Sequence, residues 1–170
     1  ELAADASLAQ PRLFTPAMAT RLRKSQNRDT PLAAEIPLGE NPPTGALIEY
    51  YLPRDAAGVE LKVLAGDGAL VQSFSSSETP ATLPADQYFS DLYRRPQGAL
   101  PRSAGAHRWI WNLRHARPAA ANYEFSIAAT AGEETPLLPE GPFVLPGDYR
   151  VELVVDGQSL SAPLKVRLDP

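Results

Sequence analysis

The sequence predicts an all-β fold, an antiparallel β-sandwich of about six or seven strands, on three observations. Apolar and polar residues alternate with a period of two in several short runs. Two pairs of these runs are joined by glycine turns, Gly66-Asp67-Gly68 and Asp156-Gly157. No stretch carries a strong helical period, and the 18 prolines among 170 residues, about twice the usual share of roughly 5%, oppose long helices.

Residues 1–43 hold Pro11, Pro16, Pro31, Pro37, Pro42 and Pro43 with the basic cluster Arg21, Arg23, Lys24 and Arg28, and are expected to form a connector. Within it Thr15 suits a helix cap and Pro16 a first helical position, so a short helix is expected over residues 16–24. The first strand is expected at residues 46–52, a β-prone run ended by Pro53. Val59, Leu61 and Val63 alternate with Glu60 and Lys62, and after the glycine turn Leu70, Val71 and Phe74 resume the apolar pattern, a β-hairpin over residues 59–75. Residues 75–80 are a loop by composition, and residues 87–93 fit a strand or a helical turn equally.

Residues 107–114 form the clearest aromatic strand. Trp109, Trp111 and Leu113 share the face expected in the core, and Arg108, Ile110, Asn112 and Arg114 share the other. Residues 116–146 mix Ala, Gly and Pro with apolar fragments at 123–127 and 143–145, the pattern of a long excursion between strands. In the last hairpin Tyr149, Val151, Leu153 and Val155 form a core stripe, and Leu160, Ala162, Leu164, Val166 and Leu168 alternate in the same way. Pro163 cannot donate to a ladder, so this strand should be an edge strand or bulged there. No repeat of fixed period is present.

Composition bounds the chemistry. With 44% hydrophobic and 21% charged residues and a net charge of -4, the chain is neither a disordered polyampholyte nor a basic nucleic-acid binder. The absence of Cys excludes disulfides, thiolate metal sites and a cysteine nucleophile. No apolar run of about 18 residues spans a membrane, and no signal-peptide pattern opens the chain. It begins at Glu1 without Met, as expected of a piece of a longer protein.

Several strings carry a family resemblance: Asp29-Thr30-Pro31-Leu32, Gly39-Glu40-Asn41-Pro42-Pro43 followed by Gly45-Ala46, Tyr50-Tyr51-Leu52, Gly66-Asp67-Gly68, residues 107–114, and Pro146-Gly147-Asp148-Tyr149. Together, over residues 29–170, they resemble the C-terminal module of bacterial sortilin-like, BNR/Asp-box proteins, often labelled glycosyl hydrolases. In that family a secreted β-propeller precedes the module, which is similar to the immunoglobulin-like domain of flagellar hook-capping proteins. The resemblance implies an immunoglobulin-like antiparallel β-sandwich of about six to eight strands over residues 44–170. It also implies a secreted or periplasmic bacterial setting and an upstream β-propeller of the same chain as partner. Asn112 stands where the family more often has Asp. The Asp-box pattern Ser-x-Asp-x-Gly-x-x-Trp is absent, and blades of about 40–50 residues do not fit beside a sandwich in this chain.

No catalytic set converges in the sequence. Glycoside hydrolysis needs two facing carboxyl groups or a tyrosine with an acid partner. Asp148, Glu152 and Asp156 lie on or beside a solvent face, and Asp67 and Asp156 precede turn glycines. His107 and His115 would stand roughly 26 Å apart along an extended strand, too far to share a metal. No catalytic residue, metal or cofactor is therefore expected. The candidate ligand-binding residues are Tyr50 or Tyr51, of which only one can point inward, and the basic Arg94, Arg95 and Arg108, grouped with Arg102 and Arg114. Tyr88, Tyr93 and Tyr123 are further stacking candidates, while Trp109, Trp111, Leu113 and Tyr149 are assigned to the core.

The expected function is a non-catalytic accessory module of a larger secreted propeller-containing protein, mediating domain packing through Leu13, Phe14, Met18 and Leu22 of the connector or binding a glycan or protein. The alternatives are a carbohydrate-binding module and a free-standing glycoside hydrolase. Neither nucleic acid nor a membrane span enters this expectation.

Overall fold

The computed structural model describes residues 9–22, 43–79, 98–119 and 140–170. Among them the fold is all-β, with eight strands in two sheets and no helix. The strands are β1 (Arg12–Leu13), β2 (Ala19–Arg21), β3 (Ala46–Leu52), β4 (Val59–Ala65), β5 (Leu70–Ser75), β6 (Gly105–Trp111), β7 (Gly147–Val155) and β8 (Gln158–Leu168). One sheet has the order β1-β3-β6 and the other β2-β8-β7-β4-β5.

Each long strand buries alternate residues, as its sequence alternation requires. In β3 Ala46, Ile48, Tyr50 and Leu52 point inward, in β4 Val59, Leu61 and Val63, and in β7 Val151, Leu153 and Val155. These residues join one core between the sheets. Two aromatic pairs bridge the layers edge-on: Phe74 on β5 with Trp109 on β6, centroids 5.2 Å apart, and Trp111 on β6 with Tyr149 on β7, 5.8 Å apart.

Both hairpins form where the glycine turns place them. In the β4–β5 turn Asp67 Oδ1 accepts from the Ala69 N–H at 3.0 Å, and Gly68 takes φ +87°. The β7–β8 turn puts Asp156 at φ +49° and Gly157 at φ +87°, both in the left-handed region that a two-residue turn of this hand requires. Gly45, just before β3, sits at φ +136° with space for a Cβ only 2.3 Å from the Trp111 carbonyl oxygen, so no other residue fits there.

The structure corrects the sequence reading at four places. The first strand is not β3, because β1 pairs with it antiparallel and β2 precedes it too. The helix expected over residues 16–24 does not form in its described part, where Ala19–Arg21 lies beside Val166, Arg167 and Leu168. That pairing is parallel, so the five-stranded sheet is mixed rather than purely antiparallel. The aromatic strand begins at Gly105 and stops at Trp111, and Leu113 then turns the chain at φ +58° while staying buried. Residues 23–42, 80–97 and 120–139, including Arg94, Arg95, Tyr88, Tyr93 and Tyr123, lie outside the described residues.

Pro163 lies opposite Arg150 of β7, while β2 reaches β8 only at Val166, Arg167 and Leu168. The outer side of β8 beside Pro163 therefore has no partner strand among the described residues, the position where a missing N–H costs least.

Candidate functional site

The register between β3 and β6 decides which side chains meet on the outer face of the small sheet. Glu49 pairs with Arg108, Tyr51 with Ala106 and Leu47 with Ile110, all pointing away from the core. β1 places Arg12 beside Tyr51, and the next residue on, Phe14, donates its N–H to the Glu49 carbonyl at 3.0 Å. This sets the Phe14 ring next to the Glu49–Arg108 row, with the Arg12 guanidinium 5.8 Å from its centroid. A shallow groove of about 430 Å³ runs here, lined by Phe14, Glu49, Tyr50, Ala106, His107 and Arg108.

The ion pair in this groove has a particular geometry. Arg108 Nε donates to Glu49 Oε1 at 2.9 Å, and Nη2 donates to the same oxygen. Glu49 Oε2 and Arg108 Nη1 have no partner among the described residues. Both side chains are about half exposed, so the pair contributes little to stability.

The two tyrosines take opposite faces. Tyr51, opposite Ala106, and Arg108, opposite Glu49, share the outer face, whereas Tyr50 is fully buried. Its hydroxyl donates to the Pro101 carbonyl at 2.6 Å, and its ring lies 5.2 Å from that of His107. Burial pushes its phenol pKa well above the ordinary value of 10.0. His107 is itself engaged, with Nε2 at 2.7 Å from the Ser103 carbonyl.

Trp111 and Leu113 are buried completely, Trp109 nearly so, and Tyr149 is half-buried against the core. The Trp111 indole donates to the Arg114 carbonyl at 2.9 Å, while the buried Trp109 indole N–H has no partner among the described residues.

The described arginines of the basic group each have their own engagement. Arg102 donates to the Ala57 carbonyl at 3.0 Å. Arg114 pairs with Glu140 at 3.0 Å and lies 3.6 Å from the Phe143 ring centroid. Asn112 donates to the other Glu140 oxygen at 2.7 Å, so one carboxylate ties both polar residues of the Trp-Asn-Leu-Arg string to the chain before β7. Arg21 joins the same cluster, 5.7 Å from Phe143 and donating to the Val144 carbonyl at 2.8 Å.

A second hollow of about 310 Å³ is lined by residues that include Ser75, Ser76, Ser77, Arg102 and Asp156. Its polar groups serve the fold: Ser76 Oγ accepts from the Val59 N–H, and Asp156 Oδ1 accepts from the Gly58 N–H. No cluster of three or more His, Cys, Asp or Glu residues suited to a metal occurs among the described residues.

Phe14 and Glu49 are not among the ligand-binding residues expected from sequence, where Phe14 is assigned to domain packing instead. Glu49 shares the parity of Tyr51, a signal that was available. Phe14 follows a strand of two residues, too short to show any period. No family model matches the chain, and neither a curated protein nor a solved structure matches it.

Proposed function

We propose that this chain is a non-catalytic, immunoglobulin-like module of a larger secreted or periplasmic bacterial protein, and that it packs against a neighbouring domain, an upstream β-propeller, through one edge of its five-stranded sheet. The strand order supports the immunoglobulin-like reading. With β3 and β6 as strands B and E and β4, β5, β7 and β8 as C, C′, F and G, the sheets are A-B-E and A′-G-F-C-C′, where β1 and β2 are one N-terminal strand divided between the sheets. A second support is the Tyr149 hydroxyl, near the start of β7, which donates to the Leu145 carbonyl four residues upstream in the manner of a tyrosine corner. The resemblance of the Pro-Gly-Asp-Tyr and Trp-Asn-Leu-Arg strings to the Asp-box family's C-terminal module supports the setting.

One observation carries the packing role. Met18 and Leu22, just outside the two ends of β2, are 48% and 47% exposed, and Leu168, in register with Arg21 at the end of β8, is 52% exposed. Scattered exposed apolar residues are ordinary, but three at one strand edge mark a surface suited to a partner. Calorimetry of the longer protein tests this. Coupled unfolding of the two domains is expected, and the double variant Met18→Asp, Leu22→Asp should separate it into two transitions. Identical transitions in both proteins would remove the role from this edge. Turnover of a chromogenic glycoside by the 170-residue chain, abolished by changing one acidic residue, would overturn the non-catalytic reading.

A further inference from the structure

We propose that the pairing of β2 with the end of β8 is a load-bearing clamp, which lets the chain carry tension between segments attached at its two ends without opening. The inference rests on the direction of the strands and holds whatever packs against this edge.

β2 lies near the start of the chain and β8 near its end, and the two run parallel, with Ala19 beside Val166, Thr20 beside Arg167 and Arg21 beside Leu168. The chain therefore enters β2 at one end of this pair and leaves β8 at the other. Tension between the chain ends draws the two strands past each other along their own axes, so the three pairs are loaded together and must fail together. Antiparallel terminal strands would instead be pulled from the same end and would open one pair at a time. β1 lies on β3, so of the two N-terminal strands only β2 links directly to the last strand.

The clamp is reinforced beyond its backbone. Ala19 and Val166 are buried, so water cannot readily replace the bonds of that rung while it is strained. Arg167 Nε donates to Thr20 Oγ1 at 3.0 Å, and the Asp169 N–H donates to the Arg21 carbonyl at 3.3 Å. Arg21 Nη1 donates at 2.8 Å to the carbonyl of Val144, a fully buried residue, and its guanidinium lies 5.7 Å from the Phe143 ring centroid. Val144 is held in turn by its N–H on the Leu113 carbonyl. The Arg21 side chain thus gives β2 a second anchor besides β8, on a segment fixed in the core.

Single-molecule pulling on the 170-residue chain tests this, and the absence of Cys makes an introduced thiol a unique handle. The chain is pulled from its two termini, or from its N-terminus and Gln158→Cys, an exposed position at the start of β8. In the second geometry both handles lie toward the same end of the strands, and the pairs open in sequence. Rupture from the termini should need roughly threefold the force, because three pairs share the load instead of meeting it singly. Arg21→Gln, and Ala19→Pro, which removes a backbone N–H from β2, should each lower the terminal force and leave the force through position 158 unchanged. Urea melts verify that each variant remains folded, since resistance to force follows the unfolding rate and not the equilibrium stability. The proposal is overturned if the two geometries need the same force, if neither substitution lowers the terminal force, or if both substitutions lower the two forces alike.

Discussion

The Tyr149 hydroxyl donates to the Leu145 carbonyl at 2.6 Å while its ring packs edge-on against Trp111, so one side chain both closes the corner into β7 and fastens the two sheets. Tyr149→Phe keeps the ring and removes the bond. Because the hydroxyl is partly solvated, the expected loss is about 0.5–1 kcal/mol in urea unfolding. Tyr149→Ala removes the aromatic contact as well and should cost about 2–3 kcal/mol. Equal losses for the two variants would mean that the ring contributes nothing.

The two tryptophans of β6 differ in one respect that a substitution can read. Trp111 donates to the Arg114 carbonyl, whereas the Trp109 indole N–H has no partner among the described residues. Changing either to Phe removes apolar contact, but only Trp111→Phe also deprives a carbonyl of its donor. Trp111→Phe is therefore expected to be more destabilising than Trp109→Phe, by about 1 kcal/mol in chemical denaturation. The reverse order would contradict the assigned hydrogen bond.

Asn112 donates to Glu140, and a carboxylate in its place would face another carboxylate at the same distance. Asn112→Asp should lower stability at neutral pH by about 1 kcal/mol, a modest figure because both groups are solvent-accessible. Denaturant midpoints of the variant and the parent protein at neutral pH measure the deficit, which added salt should reduce by screening the two charges. A deficit unchanged by salt would place its cause outside the charge.

Alkaline pH should weaken the fold through Tyr50. Burial raises its phenol pKa above the ordinary 10.0, and desolvation raises that of Tyr149 in the same direction. The unfolded chain then releases protons that the folded chain retains, so stability falls as pH rises. The contribution is fully present below the ordinary tyrosine value and is lost progressively above it. Urea midpoints measured from about pH 8 to about pH 11 should stay level and then decline, and Tyr50→Phe should reduce the decline while losing the bond to Pro101.

The long strands were legible because their alternation is local. Val59, Leu61 and Val63 needed only a period of two, and Asp156-Gly157 needed only the left-handed preference of the turn. The N-terminal strands were not legible. Ala19–Arg21 is held by pairing with residues near 167, and the local cap signal at Thr15-Pro16 favoured a helix that this tertiary contact displaces. The end of the aromatic strand was misplaced for a similar reason. Leu113 keeps its place in the core with a positive φ, which a strand pattern does not anticipate. Of the site, parity alone separated the faces of Tyr50 and Tyr51, and Arg108 was named directly. The joining of Glu49, Arg108 and Phe14 depends on cross-strand register, which no single run of sequence contains.

Hydrogen–deuterium exchange tests the packing account most directly. Amides of residues 18–22 and 166–169 are compared between the 170-residue chain alone and the same chain joined to an upstream domain in the longer protein proposed above. Slower exchange confined to this edge in the longer protein is the expected result. Unchanged exchange there, with protection arising on another face, would contradict the assignment of the β2–β8 edge as the docking surface.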